Sequence, residues 1–219
     1  MEDQSCVPRW VRILGGISGI AGVLMIGLSF MINPGPPPGA SIAKLIEFGN
    51  RYYDSILWGA WLQAVGPVFI VLFAFILVRL AEAHVRVSGW MTFFGAAVLM
   101  AVSLIEITFY IAVLFGAPPD AILVCLRTIY AVQHLYFIVA APAFFIPLGI
   151  VLVRSDVLPK IFGYLALLLG VAFMLLGILY LTVLILPMWV TAFAGVQALW
   201  WLAAAITLLI KNRGVRNTE

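Results

Sequence analysis

The sequence predicts an all-α polytopic membrane protein: six transmembrane helices, both termini cytoplasmic, and a short amphipathic helix before the second span. Three observations carry this. Hydrophobic residues make up 65% of the 219-residue chain and charged residues only 10%, with a mean hydropathy of +1.17. Soluble domains hold roughly 45–50% apolar and about 25% charged residues. The apolar residues also fall into six stretches near or above the ~20 residues a helix needs to cross a bilayer. Finally, these runs are continuous and not alternating, which excludes a transmembrane β-barrel. They use most of the length, so residues 1–219 read as a single six-helix transmembrane domain.

Span one, about Trp10–Met31, is rich in glycine (Gly15, Gly16, Gly19, Gly22, Gly27). Small residues let helices approach closely in lipid, so this span is expected to pack tightly against a neighbour. Asn33-Pro34-Gly35-Pro36-Pro37-Pro38-Gly39 ends it in an extended turn. Residues 41–52 place Ile42, Leu45, Ile46 and Phe48 among Lys44, Glu47, Asn50 and Arg51. This pattern fits an amphipathic helix lying on the membrane surface with Ser41 as its N-cap. It reads either as an ordinary connector or as a lid over the bundle.

Span two, about Tyr53–Val78, contains Pro67, which cannot donate to the carbonyl of Gln63 and should kink the helix. A loop with Arg79, Glu82, His84 and Arg86 leads to span three, about Gly89–Phe115. Span four, about Ala121–Val153, carries Pro142 and Pro147 in its second half. Span five runs about Ile161–Leu186, Pro187 breaks it, and span six runs about Met188–Ile210.

Lysine and arginine counts set the orientation. Arg9, Arg12, Arg79, Arg86, Arg154, Lys160, Lys211, Arg213 and Arg216 gather on one side, against Lys44 and Arg51 on the other. The excess predicts cytoplasmic termini. Trp10 and Trp90 at one boundary, with Tyr52, Tyr53 and Trp189 at the other, fit aromatic belts. Cys6 and Cys125 then lie on opposite sides, so no disulfide is expected. Glu2 and Asp3 spoil the basic region of a cleavable signal peptide. The net charge of +3 is spread over the loops and not gathered in a patch, which argues against nucleic acid as a partner.

The exit of span four reads Arg154-Ser155-Asp156-Val157-Leu158-Pro159-Lys160-Ile161-Phe162-Gly163-Tyr164-Leu165. It resembles a turn common in uncharacterised six-span bacterial inner-membrane proteins: Ser, then Leu-Pro, a basic residue, and Gly-x-Leu opening the next helix. The resemblance implies a bacterial inner membrane and a cytoplasmic loop here. It implies no activity, cofactor or catalytic residue.

Candidate site residues cluster in spans three and four, where Glu106, Arg127 and His134 stand among Leu, Ile, Val and Phe. Hydrocarbon tolerates such groups only when they face the protein interior or water. At 1.5 Å per residue, Glu106 lies roughly 14 Å below the outer face, Arg127 roughly 9 Å and His134 roughly 20 Å. Residues 127, 130, 134 and 137 share one helical face, and a Glu106–Arg127 ion pair is expected on it. Tyr110, Tyr130, Gln63 and Gln133 offer further hydrogen bonds, Gln133 one step off that face. Trp58, Trp61, Trp200 and Trp201 lie away from the belts, where they either line a cavity for a flat amphipathic molecule or serve as bulk. The candidate ligand-binding set is therefore Glu106, Arg127, His134, Gln63, Tyr110, Tyr130 and Trp200.

No metal, haem or other cofactor is expected. His84 sits at the wrong depth to pair with His134 across a haem, and Glu106 with His134 offers too few metal ligands. Three functions stay open. The first is an outward-facing intramembrane pocket for a small amphipathic or lipid-like ligand. The second is an accessory subunit of a membrane complex, with a Glu–Arg helix clamp and the glycine face of span one against a partner subunit. The third is an enzyme or proton-coupled transporter using Glu106 and His134.

Overall fold

The computed structural model describes residues 8–37, 39–116, 118–182 and 187–211, with 180–182 and 187–191 described by backbone alone. Cys6, Arg213, Arg216 and the Trp189 side chain lie outside the described residues. The chain forms α1 (Arg9–Ile32), α2 (Ile42–Arg51) and α3 (Tyr53–Leu80), then a 3₁₀ turn at Ala83–Val85 and α4 (Val87–Leu114). After these come α5 (Pro119–Leu135), a widened π turn (Tyr136–Ala140), α6 (Ala141–Val153), α7 (Lys160–Thr182) and α8 (Pro187–Lys211). No strand occurs among the described residues. Six stretches are long and apolar enough to cross a membrane, with α5 and α6 acting as one. The protein is a multi-pass, all-α membrane protein.

Prolines punctuate these helices by losing a donor. Pro119 and Pro187 open α5 and α8, where the missing N–H has no partner to lose. Pro142 would collide with the carbonyl of Ile138 and cannot donate to it. The chain widens by one residue just before it, and the Ala141 N–H bonds the carbonyl of Tyr136, five residues back. Ser41 occupies the N-cap position of α2, yet its side chain makes no capping bond.

The spans form a closed ring in chain order: α1 packs on α3, α3 on α4, α4 on α5 and α6, α6 on α7, α7 on α8, and α8 back on α1. Gly16 abuts Ala205 and Leu209, so α1 begins where α8 ends. This is the terminal end of the bundle; α2 covers the opposite end, touching α3, α4 and α5. Two crossings rest on facing glycines. A Cβ on Gly22 would fall 2.9 Å from the Gly66 carbonyl oxygen, and one on Gly66 would fall 3.2 Å from that of Gly22. Gly149 and Gly163 face each other likewise, at 2.8 and 3.0 Å. Gly15, Gly16, Gly19 and Gly22 of α1 are therefore spent inside the chain on α3 and α8, while Gly27 has nothing within 4 Å.

The same physics explains the turn at 154–165. Val157 and Leu158 are buried, α7 starts directly after Pro159, and Gly163 admits α6. Lys211 Nζ donates to the Asp156 carbonyl and ties α8 to this turn. The centre of the ring is filled by Phe73, Phe144, Phe145, Phe173, Trp200 and Trp201, whose rings meet edge-on or tilted except for the stacked Phe145–Phe173 pair.

Replacing Gly22 or Gly149 with valine is expected to lower unfolding stability in detergent by about 1–3 kcal/mol through overpacking. Gly27→Val, at a position with nothing within 4 Å, is expected to leave the transition where it is. Equal melting temperatures for all three variants would show that these crossings do not set the packing.

Candidate functional site

Glu106 is buried, 9% exposed, on the face of α4 turned toward α3 and α5. Its partners are two glutamines. Gln63 Nε2 of α3 donates to Oε2 at 3.0 Å, and Gln133 Nε2 of α5 donates to Oε1 at 2.8 Å. Each carboxylate oxygen thus has its own amide donor, and one side chain joins three helices. Beside it, Ser103 Oγ donates at 3.1 Å to the Gln63 carbonyl. That carbonyl lost its helical donor to Pro67, so Ser103 repairs the proline's defect from the neighbouring helix. Ser29 Oγ adds a bond between α1 and α3, donating at 2.8 Å to the Gly59 carbonyl.

The expected Glu106–Arg127 pair does not form. Arg127 is exposed, and no ion pair joins it to Glu106 among the described residues. Two causes combine. Helical side chains lean toward their own N-terminus. Glu106 on α4 therefore leans toward the terminal end, Gln133 on the antiparallel α5 leans up to meet it, and Arg127 leans away. The rotation of α5 also differs from expectation: its buried stripe is Ile122, Cys125, Ile129 and Val132, which Gln133 borders. The 127/130 side faces outward, with Tyr130 52% exposed. The π turn then rephases the chain so that Phe137 points inward.

His134 bonds its own helix. Its Nδ1 lies 2.6 Å from the Tyr130 carbonyl, which can only accept, so Nδ1 carries the proton. Trp200 is buried far from Glu106, against Phe145 and Trp201, with Nε1 donating at 3.0 Å to the Phe162 carbonyl near the terminal end. Trp58 and Trp61 face outward, 60% and 50% exposed. None of the four central tryptophans lines the cleft at the α2 end. The structure thus gathers Glu106, Gln63 and Gln133, sets Tyr110 one turn above them, and leaves Arg127, Tyr130 and Trp200 outside. Sequence reasoning missed Ser103. The signal was there, since Pro67 leaves a carbonyl that a neighbouring helix must satisfy.

A cleft of about 40 Å³ opens at the α2 end. Leu45, Phe48 and Gly49 of α2 form its roof, Pro34, Pro36 and Ile56 one wall, and Ile122 and Leu126 of α5 another. Tyr110 is its deepest residue on α4, one turn above Glu106. On α5, Ile122, Leu126, Ile129 and Gln133 follow one helical face, so the cleft and the carboxylate share a seam. No protein-family model, curated protein or solved structure matches the chain. What the site can do therefore rests on its own chemistry. No group of three or more His, Cys, Asp or Glu residues able to hold a metal occurs among the described residues.

Gln63→Leu or Gln133→Leu strips one oxygen of its donor and is expected to cost about 1–3 kcal/mol of stability. Arg127→Gln is expected to change it by less than about 0.5 kcal/mol. Thermal unfolding in detergent separates the two arrangements, because a buried Glu–Arg pair would reverse that order.

Proposed function

We propose that this is a bacterial inner-membrane protein, its termini cytoplasmic, that binds a small amphipathic molecule at the outer end of the bundle beneath α2. The carrying observation is the cleft itself: an amphipathic helix roofs an apolar opening whose floor is Tyr110, one turn above a buried carboxylate. Apolar lining with a few convergent polar groups is the usual make-up of a small-molecule site. The 40 Å³ opening is far smaller than the ~300–1,000 Å³ of a typical ligand pocket. Binding therefore requires α2 to lift, and α2 is suited to this because none of its residues is fully buried. This supports the lid reading of residues 41–52. The excess of Lys and Arg at the terminal end supports the orientation, and the turn at 154–165 supports the bacterial assignment.

A second reading is favoured by the Gln63–Glu106–Gln133 bonds. Buried polar groups can serve to fix helix register, and the cluster then acts as a clamp in an accessory subunit of a membrane complex. The two readings part on what the protein carries. Purified gently and examined by native mass spectrometry, wild type is expected to retain a small amphipathic molecule that Phe48→Asp releases. Bare protein from both preparations would favour the clamp.

A further inference from the structure

We infer that the molecule admitted beneath α2 carries a positive charge: an alkylammonium whose head is drawn past Tyr110 toward Glu106. This rests on the binding reading above and names its ligand class.

Glu106 is nine-tenths buried, and its two oxygens meet the neutral amides of Gln63 and Gln133. Amides supply hydrogen bonds but no charge. Among the described residues no Lys, Arg or His forms an ion pair with it, and the one cation on the facing helix, Arg127, is exposed and leans away. A carboxyl buried in such a place is ionised only with a cation beside it, and an incoming ammonium supplies one.

The approach selects what kind of cation. Its walls are Pro34, Pro36, Leu45, Ile56, Ile122 and Leu126 with Asn33 among them, a mostly apolar passage that would accept a hydrocarbon body and offers a hydrated ion few oxygen ligands. A bare Ca²⁺ or Mg²⁺ needs about six oxygens, and Glu106 with two N–H-presenting amides does not provide them. Two aromatic rings, Phe48 in the roof and Tyr110 at the floor, line the path and favour an ammonium over a neutral or anionic head. The rim does not repel a cation either. Glu47, Asp54 and Asp120 are exposed at this end alongside Lys44 and Arg51, and the Arg51 guanidinium is drawn over the Tyr52 ring at 5.4 Å.

The test titrates the full-length protein in mild detergent with n-hexylammonium, 1-hexanol and hexanoate, which share a chain and differ in head charge. Binding is read by calorimetry and by the ligand-dependent rise in unfolding temperature. Hexylammonium is expected to bind about tenfold tighter than hexanol, the difference a charge-assisted hydrogen bond makes, with hexanoate weakest. Glu106→Gln is expected to bring the hexylammonium-to-hexanol ratio close to one. The wild-type ratios decide the matter even where that variant does not fold. Equal binding of hexylammonium and hexanol, or tightest binding of hexanoate, overturns the cation assignment and leaves the cleft standing. Binding by none of the three overturns both.

Discussion

A carboxyl group in hydrocarbon must bring its own hydrogen-bond partners, and in this protein Gln63 and Gln133 are those partners. Leaving one buried polar atom of that group without its partner costs about 1–3 kcal/mol. That requirement fixes the relation of α3, α4 and α5 more tightly than apolar packing does, because lipid competes with any apolar side chain but cannot replace an amide donor. Ser103 and Ser29 extend the same logic to backbone carbonyls at the α3 interfaces. The polar seam therefore runs from α1 through α3 and α4 to α5, in the half of the bundle nearer α2.

The rest of the ring holds by a different means. Facing glycines let α1 meet α3 and α6 meet α7 at backbone distance, and aromatic rings fill the space these close approaches enclose. The terminal end is shut by Val157 and Leu158, by the Trp200–Phe162 bond and by the Lys211–Asp156 bond. Close packing at one end and a hydrogen-bonded seam at the other place the opening where the seam meets α2.

Much of this was legible in the residues. Hydropathy gave six spans to within a few positions, since hydrocarbon thickness leaves little choice of length. The burial of Glu106 follows from the cost of an exposed charge, and its depth lets Gln63 and Gln133 alike offer it hydrogen bonds. The rotation of α5 did not follow. Arg127 is the more conspicuous residue, but placing it outward on a segment that starts at the membrane surface is tolerable, because a long side chain leaning toward the helix start can reach the interface. Gln133 is shorter, sits deeper, and has no such route to water. Counting charges overrated Arg127; asking which group could not reach water would have favoured Gln133. The inserted residue at 136–140 was a second obstacle, because a π turn shifts every later side chain by one position and Pro142 signals only that something upstream must give.

The α2 segment shows how a light roof can sit on stiff walls. Leu45, Phe48 and Gly49, spaced three and four apart, turn toward the cleft, while Lys44, Glu47, Asn50 and Arg51 stay exposed. Fully burying a Leu or Phe side chain is worth about 1.5–3 kcal/mol, and these two are only partly covered, so little free energy holds the roof down. The walls behave differently. Pro34 and Pro36 restrict the backbone leaving α1, Asn33 is wedged against Gly59, and Ser29 fastens the last turn of α1 to α3. These wall contacts do not involve α2. That division, one helix loosely laid over three firmly stitched ones, sets the α2 end apart from the closely packed terminal end.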